Sequence, residues 1–311
     1  MSAIVIGLDG GGSKTRVIVA DEQGHTVSAV EGPGCAVRPG GVERSAEAIA
    51  ALVRDALASA GMTHVVPRVL CAGVAGVGRD ADRDALWQAL TTRELADEVV
   101  VHPDAAVALD DAFGEEAGIL LIAGTGSIAY GRSPAGLFDR CGGWGPVFGD
   151  EGSGAWIGRR ALSVVTAASD GREPETALTG AVLTATQTGE VRDLVNWAAA
   201  ATPAAFATLA PAVTATAQAG DLRANAILTL AAEELTLHVR ALARRLFVDE
   251  RAAVQVALAG GLLAPRAPLR RRVEQRLKSA VPGAEVLAKE IDPARGAVRG
   301  ALRFLGISAA S

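Results

Sequence analysis

Near the start of the chain, Asp9-Gly10-Gly11-Gly12-Ser13-Lys14-Thr15 stands between two short apolar runs, and the character of the second run decides what the segment can be. Ala3–Leu8 reads as a strand. Arg16-Val17-Ile18-Val19-Ala20 is β-branched and apolar, so it predicts a second strand and not a helix. A P-loop must open a helix, and its spacing fails here as well. Counted from Gly7, the G-x-x-x-x-G pattern reaches Gly12, but Ser13 then separates that glycine from Lys14. The segment is therefore a turn between strands. Its glycines still let backbone N–H groups converge on phosphate oxygens, a nest without a helix dipole. Asp9, at the end of the first strand, is placed to hold Mg²⁺ beside those phosphates, directly or through water. Taken alone, the element is equally an ordinary glycine hairpin with a solvated aspartate.

The rest of the chain repeats the theme. Asp21–Gly24 turns into a third strand, His25–Glu31. A helix pattern runs over Glu43–Ala60 and stops at Gly61, followed by a strand at Arg68–Gly73, a helix at Asp80–Leu95 and a strand at Glu98–Val101. A second β-rich block begins near residue 118. Ile119–Ala123 leads into Gly124-Thr125-Gly126-Ser127 and the strand-like Ile128-Ala129-Tyr130. A glycine-dense stretch, Cys141–Gly154, opens a helix over Ala155–Ser169, and residues 171–222 carry helical spacing rich in Ala and Thr. Asn225–Leu246 is the longest amphipathic pattern. Gln255–Ala259 is a strand ending at Gly260-Gly261, with helices at Pro268–Ala280 and after Asp292-Pro293. Two such halves in 311 residues predict an internally duplicated α/β fold with a cleft between the halves.

Composition narrows the function classes. Net charge is −5, and no basic run exceeds Arg270-Arg271-Arg272, so a nucleic-acid surface is not expected. No apolar stretch of about 18 residues exists, so no membrane span is expected. Met1–Gly7 lacks the basic flank and long apolar core of a secretion signal. Cys35, Cys71 and Cys141 are few, scattered and odd in number, which fits a reducing, cytoplasmic compartment. His25, His64, His102 and His238 show no metal-ligand spacing, so metal catalysis through histidine is not expected.

Three further segments carry candidate chemistry. Asp104, just past a strand and just before a helix-forming run, is placed either to cap that helix or to act as a general base on a hydroxyl attacking a γ-phosphate. Gly124–Ser127 is either a plain hairpin or a second phosphate turn. Gly142–Gly154 packs glycines around Trp144, Asp150 and Glu151, as a backbone approaching a polar ligand would require, with a flexible surface loop as the bland alternative. Gly260-Gly261 either admits an adenine and ribose or merely starts a turn.

Together, Asp9–Thr15, Pro103–Ala106, Gly124–Ser127 and Gly142–Gly154 with Trp156-Ile157-Gly158 resemble the N-acetylglucosamine kinase and BadF-type ATPase family of the sugar kinase/actin superfamily. Gly260-Gly261, Leu209–Leu235 and the tail Pro293–Leu302 fit weaker family features. The resemblance implies an α/β fold of two RNase H-like (actin-like ATPase) domains around an interdomain ATP/sugar cleft. These would be residues 1–116, with a C-terminal helix at 294–311 packing back on them, and residues 117–293 with a helical insertion.

It further implies Asp9 as the Mg²⁺-associated carboxylate and Asp104 as the catalytic base. Gly11, Gly12, Ser13, Lys14, Thr15, Gly124, Thr125, Gly126 and Ser127 would line the phosphates, and Gly260 and Gly261 the rest of the nucleotide. Cys35, Thr125, Gly143, Trp144 and Asp150 would contact the sugar. The implied activity is ATP-dependent phosphorylation of the 6-hydroxyl of N-acetylglucosamine or a close relative by a cytoplasmic homodimer.

Two positions depart from the family pattern. Amino-sugar kinases of this family place Asn in the loop after the third strand, where this chain has Gly34-Cys35-Ala36. Eukaryotic members place Asn just after the second phosphate turn, where this chain has Ile128. Glucosamine kinase is therefore an alternative. So is the ATPase activator of a 2-hydroxyacyl-CoA dehydratase or benzoyl-CoA reductase, although Cys71 and Cys141 lack the cluster context of that group. A sugar-sensing regulator would carry a DNA-binding segment or a C-x-C-G-x-x-G-C zinc motif, and neither is in this sequence.

Overall fold

The structure is a computed structural model that describes residues 3–247 and 253–307. The chain forms two compact units, residues 1–116 with 291–311, and residues 117–290.

The first unit is built on β1 (Val5–Gly10), β2 (Lys14–Ala20), β3 (Thr26–Pro33), β4 (Val69–Val74) and β5 (Glu98–Pro103), in the spatial order β3-β2-β1-β4-β5. The first three strands form an antiparallel meander because short turns join them, whereas β1, β4 and β5 are parallel. Parallel pairing needs crossovers, supplied by α1 (Val42–Ser59) before β4 and α2 (Asp80–Thr91) before β5. A sheet covered on both faces needs apolar residues at successive positions, and all six residues of β4, Val-Leu-Cys-Ala-Gly-Val, are buried. The strands split their side chains between two layers. Ile6, Leu8, Leu70 and Val101 meet α1 and α2, while Val5, Ile18 and Cys71 meet the other face.

That other face is covered by α3 (Asp104–Phe113) and by the C-terminal helix, Pro293–Phe304. The C-terminal helix lies directly on β1, since a Cβ placed on Gly7 would stand 2.4 Å from the Ala294 carbonyl oxygen. Asp111 of α3, with no exposed surface, clasps it. Its two oxygens accept from Arg295 at 2.6 and 2.7 Å, one of them also accepts the Asp292 amide at 2.9 Å, and Arg303 pairs with Asp110. Removing one partner of a buried pair leaves the other uncompensated. Asp111→Ala should therefore cost about 2–4 kcal/mol in urea denaturation, toward the lower end because Arg295 is part-exposed. A change below about 0.5 kcal/mol, the range of an ordinary surface substitution, would mean the clasp contributes little.

The second unit repeats the same connection order. Its strands are β6 (Gly118–Ala123), β7 (Ser127–Arg132), β8 (Phe138–Gly142), β9 (Val254–Ala259) and β10 (Ala284–Val286), arranged β10-β9-β6-β7-β8. Again a three-stranded antiparallel meander joins two parallel strands. Among the described residues, the crossover into β9 is expanded into six α-helices and a short 3-10 turn at Val191–Asp193. The helices are α4 (Gly154–Ser169), α5 (Leu178–Thr186), α6 (Leu194–Ala200), α7 (Pro203–Ala207), α8 (Ala210–Gln218) and α9 (Leu222–Leu246), and α10 (Pro268–Ala280) precedes β10. Ile119, Leu121, Ile157, Leu235, Leu242 and Leu258 centre the core of this unit.

Some element bounds differ from the sequence expectation for local reasons. The amphipathic helix starts at Leu222 and not Asn225, because Asp221 caps it by accepting the Ala224 amide at 2.9 Å. The helix expected over Asp80–Leu95 ends at Thr91, and the backbone turns left-handed at Glu94. Strand β8 was not expected at all. Among the described residues no helix is long and apolar enough to cross a membrane.

Candidate active site

In open α/β sheets, ligands meet the carboxyl ends of parallel strands where the strand order reverses. The register brings three such ends of the first unit to one edge. Asp9 pairs with Gly73, which pairs with His102, and Gly10 pairs with Val74, which pairs with Pro103. Asp9 is thus the penultimate residue of β1, and Asp104, the first residue of α3, leaves the same edge two strands away.

The glycine turn between β1 and β2 hangs over that edge and is fastened by its neighbours. The Gly11 amide donates to the Lys14 carbonyl at 3.0 Å, Ala36 donates to Gly11 at 3.2 Å, and Ala75 donates to Gly10 at 2.8 Å. Gly12, Ser13 and Lys14 are exposed, and the amides of Gly12 and Ser13 have no backbone partner among the described residues. Two expected contacts need correction as side chains. Thr15 is fully buried and donates its hydroxyl to the Pro33 carbonyl at 2.8 Å. Cys35 is buried in the core with its thiol against Gly10 and beside Thr15, and burial pushes that thiol up. Both hold the turn from beneath.

The electrostatics of this edge are unusual. Asp9 is partly buried, and its carboxyl is raised from 3.8 to about 7 by burial first, then by the negative charges of Asp104 and Asp292, with Lys14 and Arg16 pulling the other way. Burial also raises Asp104, offset by the Ala105 amide that its Oδ1 accepts at 2.9 Å. Asp292 lies 3.5 Å from Arg16. It comes from the far end of the chain, and its only sequence signal was an Asp-Pro helix start. Carboxylates raised together at a strand edge suit a general base and a cation partner. Among the described residues, no three or more His, Cys, Asp or Glu side chains form a ready metal cage.

The second unit places its own loops at the equivalent edge. At the turn after β6, the Gly124 amide donates to Gly126 at 2.9 Å. The start of α4 folds onto this turn, with Gly154 donating to Gly124 at 2.8 Å and Ala155 to Thr125 at 3.1 Å. Ser127 donates its hydroxyl to the Glu151 carbonyl at 2.7 Å, so its side chain fastens the loop. Asp150, left-handed at φ 57°, sits over Gly126 and accepts the Ser127 and Gly145 amides, while burial raises its carboxyl. After β9, Gly260 (φ 88°) presses on the end of β6, since a Cβ there would lie 2.3 Å from the Ala123 carbonyl oxygen. Gly261 faces open space. The two glycine turns of this unit are therefore adjacent.

Two glycines of the 142–154 stretch have a packing role that the sequence did not reveal. Gly142 makes room for His238 of α9, and Gly143 for Ile128 of β7. Packing against the protein's own helix and strand thus requires glycine at both positions. Trp144 is 63% exposed, with the Arg140 guanidinium 4.6 Å from its ring centroid. Sequence reasoning passed over His238, whose Nε2 lies 3.5 Å from Glu151, and over Arg270, seen only as part of a basic run.

The model of the BadF/BadG/BcrA/BcrD ATPase family matches residues 6–302. A Dictyostelium discoideum protein named N-acetyl-D-glucosamine kinase is 30% identical over 307 aligned residues, covering 94% of this chain and 96% of its own. A Clostridium acetobutylicum N-acetylmuramic acid/N-acetylglucosamine kinase is 31% identical, with 94% and 96% covered. Among solved structures, a Chromobacterium violaceum protein provisionally called an N-acetylglucosamine kinase superposes with a TM-score of 0.79 at 31% identity, covering 96% of this chain and 98% of that one.

Proposed function

This chain belongs to the BadF/BadG/BcrA/BcrD ATPase family, and on that premise we propose that it transfers the γ-phosphate of ATP to the 6-hydroxyl of N-acetylglucosamine or a close relative. The observation that carries the proposal is the placement of Asp9 and Asp104 at one sheet edge, both raised by burial, beside a glycine turn whose Gly12 and Ser13 amides have no backbone partner among the described residues. Relatives named as kinases of N-acetylated amino sugars, aligned along almost the whole chain, support the choice of acceptor.

Asp104 is the base. Its Oδ1 accepts the Ala105 amide, and Oδ2 is the oxygen we assign to the proton of the acceptor hydroxyl. Burial favours its protonated form, so the proton taken in the reaction is well held. Asp9 fits Mg²⁺, because such sites use one or two carboxylates with phosphates and water rather than a full protein cage. A cation there also relieves the repulsion among Asp9, Asp104 and Asp292. Within the first unit the exposed amides of Gly12 and Ser13 are suited to phosphate oxygens, and within the second the adjacent turns at Gly124–Ser127 and Gly260-Gly261 are suited to the nucleotide. Bound Mg·ATP supplies the phosphoryl group and neutralises its developing charge.

On the acceptor side, Asp150 takes sugar hydroxyl hydrogens. Cys35 and Ile128, the two departures from the family pattern, each pack against a glycine of a site loop and offer the sugar no side-chain amide. An ADP-release screen should show turnover with N-acetylglucosamine well above that without sugar. Glucosamine, N-acetylmannosamine, N-acetylmuramic acid and glucose would rank the acceptors. ATP hydrolysis indifferent to every sugar would sink the proposal.

A further inference from the structure

Arg270 of α10 is a buried arginine, its side chain 9% exposed, whose guanidinium reaches three acceptors. Nε donates to Glu274 Oε1 at 2.7 Å, Nη1 to the Leu263 carbonyl at 3.0 Å and Nη2 to the Leu287 carbonyl at 3.1 Å. Leu263 closes the turn that leaves β9, its amide donating to Gly260 at 3.0 Å, and the Leu287 amide donates to Val256 within β9 at 2.9 Å. One planar fork thus ties the far end of the Gly260-Gly261 turn to the strand from which the turn departs. Gly260 in turn abuts Ala123, the last residue before the Gly124 turn, so displacement of one turn is passed to the other.

A buried charge is an inefficient way to add stability, because an apolar side chain of similar volume packs as well without the desolvation penalty. What the fork supplies is geometry, and a lysine cannot reproduce three fixed donor directions. We propose that Arg270 is a positioning residue for the nucleotide, setting the Gly260-Gly261 turn and through it the Gly124–Ser127 turn. The inference rests on the reading of Gly260-Gly261 as part of the ATP site.

The test uses the full chain with three substitutions, equilibrium binding of ADP, and the KM of each substrate. Arg270→Met keeps the stem and removes every donor. It should weaken ADP binding and raise the ATP KM by roughly tenfold, a loss typical of a misplaced binding loop, with the sugar KM within about twofold. Arg270→Lys, which retains a charge should the methionine variant fail to fold, should give a smaller change of the same kind, about threefold. Gly261→Val probes the turn directly, since a side chain there meets nothing of the protein, and it should weaken ADP binding. If Gly261→Val weakens ADP binding while neither Arg270 variant does, Arg270 is only a packing residue. Equal rises in both KM values would also overturn the inference, as a general loosening. If Gly261→Val binds ADP like wild type, the turn does not touch the nucleotide, and the inference falls with the reading beneath it.

Discussion

Asp104→Asn should reduce sugar-dependent ADP release by about 10²–10⁴-fold, the contribution of a positioned general base, while ADP binds within about twofold of wild type. Asparagine has the same shape and keeps an oxygen for the Ala105 amide, so the first turn of α3 is preserved and only the proton acceptor is lost. The pH profile adds a second readout. Burial raises the Asp104 carboxyl, so the wild-type rate should climb as pH rises through that raised value and the group ionises, whereas residual turnover of the variant should lack that rise. Near-wild-type kcat in Asp104→Asn would remove it from the base role.

Asp9→Asn should separate activity from stability. A carboxyl at about 7 in the fold and 3.8 when unfolded binds its proton more tightly in the native state. Stability is therefore lost as pH rises between those values, and the loss is complete above about 7. At pH 8, asparagine, which resembles the protonated acid, should stabilise the nucleotide-free protein by about 4 kcal/mol, and at pH 4 by well under about 1 kcal/mol. Turnover should move in the opposite direction, because the ionised form is the one that fits Mg²⁺. Wild-type kcat/KM for Mg·ATP should fall below about pH 7, and the variant should use Mg·ATP poorly at every pH. Denaturation at the two pH values, beside a rate profile, tests both halves. Unchanged stability at pH 8 would mean that Asp9 carries no such strain.

The parts visible in the amino-acid order are those whose physics is local. β-branching after Gly12 told a strand from a helix, Gly61 stopped α1, and repeated strand–turn–strand blocks announced two like sheets. Strand β8 escaped because Phe138-Asp139-Arg140-Cys141-Gly142 is an exposed, polar edge strand with almost no apolar alternation. Asp292 could not be placed near Asp9, since only the C-terminal helix lying on β1 brings them together. The packing role of the glycines at 142 and 143 was hidden for the same reason. Their partners, His238 and Ile128, are tertiary neighbours, and a ligand and a helix ask the same thing of a backbone. Arg270 looked like one charge in a solvated run until its carbonyl partners were known.

The Asp111 clasp bears on the order in which the polypeptide matures during synthesis. The sheet of the first unit emerges from the ribosome before the second unit, yet one of its faces is covered by a helix translated after that unit. The later half is contiguous in sequence and can consolidate as soon as it is made. Until residues 292–304 are made, the earlier unit exposes Val5, Ile18 and Cys71 to its surroundings. A nascent chain halted before Asp292 should accordingly be digested by protease within residues 1–116 while residues 117–290 resist.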